Sequence, residues 1–146
     1  MSGFLYNVGV DSAAYPVLFK KVEVTATELI NVAGLPKELL PQPASGFYYN
    51  IISVQSYCDQ SFILFNGTLV FIINYTGAAT YAFSSTSNLL NSGADTFRPW
   101  PINTFNAGLT SFMRDASVYL DEASGGPPTV GNGTLYLYLA YQILPY

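Results

Sequence analysis

Thr134-Leu135-Tyr136-Leu137-Tyr138-Leu139-Ala140-Tyr141-Gln142-Ile143-Leu144 alternates without a break. Leu135, Leu137, Leu139, Tyr141 and Ile143 fall on one face; Tyr136, Tyr138, Ala140 and Gln142 fall on the other. Successive side chains of a strand point to opposite sides, so a sustained period of two predicts a long β-strand with one strongly apolar face. The second face carries tyrosine where a solvent-facing strand would carry charge. A strand of this kind buries one side in its own domain and leaves an amphipathic side that wants partial cover.

Working outward, Lys20 to Thr27 alternates in the same way. Val22, Val24 and Ala26 lie on one face, and Lys21, Glu23 and Thr25 on the other. Glu28 to Val32 extends that strand or forms one helical turn capped by Thr27. Leu35 to Pro43 contains Pro36, Pro41 and Pro43, which forbid a helix and leave an edge strand or an extended arm. Ala44-Ser45-Gly46 is a turn. Phe47 to Cys58 is a long strand with Phe47, Tyr49, Ile51 and Tyr57 on one face and Tyr48, Ile52 and Val54 on the other. Ser61–Phe65 and Leu69–Tyr75 flank Asn66-Gly67, the turn dipeptide of a β-hairpin, because both central residues need φ > 0. The second of these strands is apolar on both faces, with Val70 and Ile72 opposite Phe71, Ile73 and Tyr75.

Residues 76–106 are polar and irregular apart from a short strand at Tyr81-Ala82-Phe83. The stretch Leu109–Met113 fits no single class. Ser117–Asp121 is a strand, and Ala123–Asn132 is a Gly/Pro loop. No long segment has a helical period. The reading is all-β: an antiparallel, jelly-roll-like β-sandwich of seven or eight strands over residues 20–146, preceded by an arm or docking segment over residues 1–19.

Composition limits the function. Half of the 146 residues are hydrophobic and 16% are aromatic, but only 10% are charged. Soluble domains carry about 25% charged residues. A charge-poor surface on a chain with strands apolar on both faces predicts burial against other copies, with Tyr48, Val70, Ile72, Tyr136 and Tyr138 as the interface residues. The net charge of −4 with one adjacent basic pair, Lys20-Lys21, excludes nucleic-acid binding by phosphate neutralisation. There is no histidine and one cysteine, Cys58, so a thiol nucleophile has no base and no intrachain disulfide exists. No apolar run is long enough for a membrane helix, and Met1–Tyr6 lacks the basic and apolar regions of a signal peptide.

The chemistry-bearing residues are few. Asp115, Asp121 and Glu122 lie near one another in sequence, but Asp121 and Glu122 point to opposite faces of a strand and cannot flank one glycosidic bond. They are expected to be solvated. No nucleotide, phosphate or hydrolase motif is present, so neither catalytic residues nor a cofactor or metal is expected. Arg98-Pro99-Trp100-Pro101 holds the one tryptophan in a stiff, extended segment. Arg98 and Trp100 are the candidates for contact with a sugar face or a protein partner; the alternative is an indole folded back on its own domain.

Val22-Glu23-Val24-Thr25-Ala26-Thr27, Glu28-Leu29-Ile30, the run Pro36-Lys37-Glu38-Leu39-Leu40-Pro41-Gln42-Pro43-Ala44-Ser45-Gly46 and the strand that follows resemble the opening of small tailed-bacteriophage virion proteins. The closing strand Leu135–Leu144, with a tyrosine after it, is similar too. The resemblance implies a non-enzymatic β-sandwich, commonly a homotrimer, displayed on a virion as a capsid decoration or head-fibre protein beside other virion proteins. It transfers no catalytic residue. A glycan-binding adhesin that takes a host-surface glycan is the alternative.

Overall fold

The computed structural model describes residues 14–59, 65–66, 70–77, 83–85, 90, 97–101, 113–124, 126 and 128–146. Among the described residues, eight strands and one short helix follow in the order β1 (Leu18–Val24), α1 (Ala26–Asn31), β2 (Lys37–Leu40), β3 (Phe47–Asp59), β4 (Val70–Tyr75), β5 (Phe83–Ser84), β6 (Phe97–Pro99), β7 (Val118–Ser124) and β8 (Thr134–Pro145). They form two four-stranded sheets. Sheet A has the order β1-β8-β3-β6 and sheet B the order β2-β7-β4-β5, with every pair antiparallel. β1 thus pairs with β8, β2 with β7, β3 with β6 and β4 with β5. That is one long antiparallel hairpin rolled into two layers, which is the jelly roll. The sandwich expected from the alternating runs is the observed fold.

The core lies between the sheets. Sheet A supplies Val22, Val24, Val54, Leu135, Leu137 and Leu139; sheet B supplies Leu40, Phe71, Ile73, Val118 and Leu120, all buried. Leu29 and Val32 of the α1 region close one end. α1 starts where the alternating pattern stops. Thr25 is its N-cap, accepting from the Glu28 N–H while the Glu28 carboxylate accepts from the Thr25 N–H. This capping box ends β1 at Val24 and places the cap two residues before the expected Thr27. Glu28 also pairs with Lys37, and these contacts hold its carboxyl below the usual range although burial opposes them.

The proline-rich stretch is the edge strand β2, as its composition requires. Gly46 at φ 90° makes the turn into β3, with the Phe47 N–H donating to the Ala44 carbonyl. Of the expected hairpin about Asn66-Gly67, the turn and most of its first strand lie outside the described residues; so do Tyr81-Ala82 and residues 109–112. The expected arm falls largely on residues 1–13, which are also outside; Leu18 and Phe19 already belong to β1.

One register shift changes how β3 is read. β3 pairs with β8 as Ile51↔Tyr141 and then Ser53↔Ala140, so Ile52 is an extra residue on the β3 side. Before this bulge the inward residues are Tyr49 and Ile51; after it they are Val54, Ser56 and Cys58. One inserted residue exchanges the two faces of everything beyond it. The expected grouping of Tyr57 with Tyr49 and Ile51 is therefore corrected: Tyr57 points outward. Part of the apparent two-sided hydrophobicity of β3 is this change of parity.

Candidate interaction surface

The outer face of sheet A is built from side chains that alternate away from the core. β8 contributes Tyr136 and Tyr138, β3 contributes Tyr48 and Tyr57, β6 contributes Phe97, and β1 contributes Phe19, Lys21 and Glu23. Four of these rings form one cluster. Tyr57 stacks on Tyr136 with centroids 6.3 Å apart and lies 4.9 Å from Phe97, which lies 5.8 Å from Tyr138. The Lys21 ammonium sits 4.2 Å from the Tyr136 ring centroid and 5.8 Å from that of Tyr138. This is cation–π geometry, and it spreads a positive charge over the aromatic shelf. Phe97 is 64% exposed and Phe19 is 81% exposed. Beside the shelf a shallow pocket of about 290 Å³ has Ser53 and Ala140 among its lining and Phe19, Lys21, Gln55 and Tyr138 around them. The four rings form a contiguous, partly exposed aromatic patch on a charge-poor chain.

The expected interface residues divide between the sheets. Tyr48, Tyr136 and Tyr138 are half-buried on this outer face, and burial pushes the Tyr48 phenol up. Val70 and Ile72 belong to β4 in sheet B. Ile72 is only 6% exposed, so the chain itself already covers it, and it offers no free surface to a second subunit. Tyr57, Phe97, Lys21 and Phe19 were not singled out from sequence. Tyr57 was hidden by the bulge, and Phe97 reaches the shelf only through the three-residue pairing of β6 with β3.

Trp100 is in the core. Its backbone N–H donates to the Val54 carbonyl at 2.9 Å, and its indole N–H donates to the Ser56 hydroxyl at 2.8 Å. The side chain is 4% exposed, so no indole face is open for a sugar; the tryptophan packs on its own domain. Arg98, half-buried on the edge strand β6, pairs with Ser56.

The carboxylates separate as their parity requires. Asp121 pairs with Ile72, and Glu122 pairs with inward-facing Phe71. Glu122 is not simply solvated: its Oε2 is buried and has no hydrogen-bond partner among the described residues. Asp115, at φ 53°, accepts from the Gly46 N–H at 3.0 Å through Oδ1 and from the Tyr146 hydroxyl at 2.8 Å through Oδ2. Arg114 lies 4.5 Å from the Tyr146 ring centroid. Asp115 and Asp121 thus act in local structure, Asp121 accepting from the Glu122 N–H at 2.8 Å. Among the described residues no group of three or more His, Cys, Asp or Glu side chains is placed to hold a metal ion, and no helix is long and apolar enough to cross a membrane.

No family model matches the sequence, and no curated protein matches it. Among solved structures, a chain of the "Cyanophage Pam1 capsid asymmetric unit" superposes on this one with a TM-score of 0.57 at 15% sequence identity. The match covers 88% of this chain and 85% of that chain, and at this identity the likeness is one of fold.

Proposed function

We propose that this chain is a non-enzymatic structural component of a phage virion, a capsid decoration or head-fibre protein that assembles as a homotrimer on the particle. The observation that carries the reading is the likeness to a chain of the cyanophage capsid asymmetric unit, which extends over nearly the whole of both chains. The jelly roll is itself a recurrent capsid architecture, and lectins share it. The sequence pattern of the opening strands and the proline-rich run supports the same assignment.

The aromatic shelf of sheet A supplies the surface that such a protein needs. Tyr57, Tyr136 and Tyr138 are its half-buried part and Phe97 its exposed part, while Tyr48 lies toward the other end of the same face, opposite Leu144. Rings with a polar tip are suited to contacts that exclude water incompletely. The glycan-binding alternative rests on Trp100, Arg98 and the many tyrosines; of these, the Trp100 indole is enclosed.

Two measurements test the proposal. Light scattering of the full chain at micromolar concentration is expected to give a mass in multiples of about 48 kDa, three copies of the 15.9 kDa chain. An antibody to the chain is expected to decorate purified particles in electron micrographs. A stable 16 kDa species would remove the trimer, and washed particles free of the chain would remove the virion assignment.

A further inference from the structure

A β-sandwich has four sheet edges, formed here by β1 and β6 in sheet A and by β2 and β5 in sheet B. Among the described residues β6 ends in Pro99, and β2 is bracketed by Pro36 and Pro41 and is irregular between Glu38 and Leu40. β1 is different. It has seven residues and no proline, and its register with β8 runs from Leu18↔Tyr141 to Val24↔Leu135 without a shift. Among the described residues no strand lies on its other side. A long, straight edge is a template for another strand, and proteins normally guard it with bulges, prolines or projecting lysines. β1 does contain Lys20 and Lys21, but neither stands guard. The Lys20 ammonium donates to the Leu39 carbonyl of β2 at 2.8 Å, and the Lys21 ammonium lies over the tyrosines of β8. Val17, Leu18 and Phe19 are meanwhile 43%, 36% and 81% exposed.

The charges on β1 select its partner. Lys21 and Glu23 share the outer face and flank Val22. We propose that β1 pairs edge to edge with β1 of a second copy, antiparallel, about a two-fold axis at Val22. Lys21 then lies opposite Glu23 of the second copy, twice by symmetry, and Lys20 lies opposite Val24. Sliding by the next allowed step in one direction puts Lys21 opposite Lys21, and in the other direction Glu23 opposite Glu23. Opposite charges across a strand pair stabilise it and like charges destabilise it. The intermediate steps set core-facing against solvent-facing side chains. Both sheets A join into one eight-stranded sheet, with the two aromatic shelves on the same side. Being two-fold, this contact is separate from the head-to-tail contact that closes a trimer.

The test is a charge swap in the full chain, read by light scattering and by hydrogen exchange of the β1 amides. Lys21→Glu and Glu23→Lys each place two like-charged pairs across the axis, so each is expected to halve the mass and to increase β1 exchange at least tenfold. K21E/E23K is expected to restore both, because the pairs are opposite again with their signs exchanged. Circular dichroism of each variant confirms that it folds. The masses also separate this contact from the trimer: six chains falling to three means both exist, and two falling to one means the edge contact alone. A mass and exchange rate unchanged in both single variants would overturn the proposal, as would a double variant that fails to recover.

Discussion

The indole N–H of Trp100 donates to Ser56 Oγ at 2.8 Å in the interior of the sandwich, and Ser56 is wholly buried. The pair ties the segment after β6 to the strand beside it. It also explains why a polar residue is tolerated on the core face of β3, because the hydroxyl satisfies a donor that water cannot reach.

Ser56→Ala leaves that donor without a partner. The expected loss is about 1–3 kcal/mol of unfolding free energy by urea titration. Ser56→Ala with Trp100→Phe is expected to cost less than the two single losses added, since neither polar group then remains unpaired.

Tyr75 bridges the sheets, its hydroxyl donating to the Tyr49 carbonyl at 2.9 Å. Burial pushes its phenol up to about 12 from the ordinary 10, against a backbone bond at Ile51 that favours the phenolate. A raised value means that the folded state prefers the neutral phenol. The contribution is complete below pH 10 and is lost as the pH rises through 12. Absorbance titration of the folded chain is expected to show a tyrosine ionising near pH 12, and Tyr75→Phe removes that step.

Gly131 and Gly133 sit where a side chain does not fit. A Cβ on Gly131, at φ 140°, meets Phe65 Cδ1 at 2.2 Å, and one on Gly133 meets the Asp59 carbonyl at 2.5 Å. Alanine at either site is expected to cost about 1–3 kcal/mol. Gly34→Ala meets nothing within 4 Å and is expected to be neutral or stabilising by up to about 1 kcal/mol. Thermal unfolding of the three variants side by side checks the order.

Phe97→Ser with Tyr138→Ser removes two rings of the outer shelf without touching the core. The assembled mass is expected to lose its factor of three, while the unfolding free energy of the dissociated chain changes by no more than about 1 kcal/mol.

Much of this fold is legible in β8, whose Leu135, Leu137 and Leu139 face inward and whose Tyr136 and Tyr138 face outward. Between residues 135 and 141 it is paired on both sides and has little freedom to change parity. β3 was legible as a strand but not in its faces, because the bulge at Ile52 costs one residue and leaves no signature beyond the adjacent isoleucines. The aromatic shelf was half legible. Tyr136 and Tyr138 follow from alternation, whereas Tyr57 needs the bulge and Phe97 needs a pairing 40 residues away. Sequence left Trp100 between a ligand contact and an indole folded back on its own domain for a related reason. Flanking prolines argue for a stiff segment, but only the partner Ser56 decides whether the ring turns inward.

The rolled hairpin has a kinetic consequence. Residues 18–24 pair with residues 135–141, so the outermost described pairing of sheet A closes a loop of more than 100 residues. High contact order slows folding and prolongs exposure of sticky intermediates. During translation β1 leaves the ribosome long before β8 exists, and until then both of its edges stand bare. Nascent chains of this protein therefore complete sheet A only after synthesis has passed residue 141.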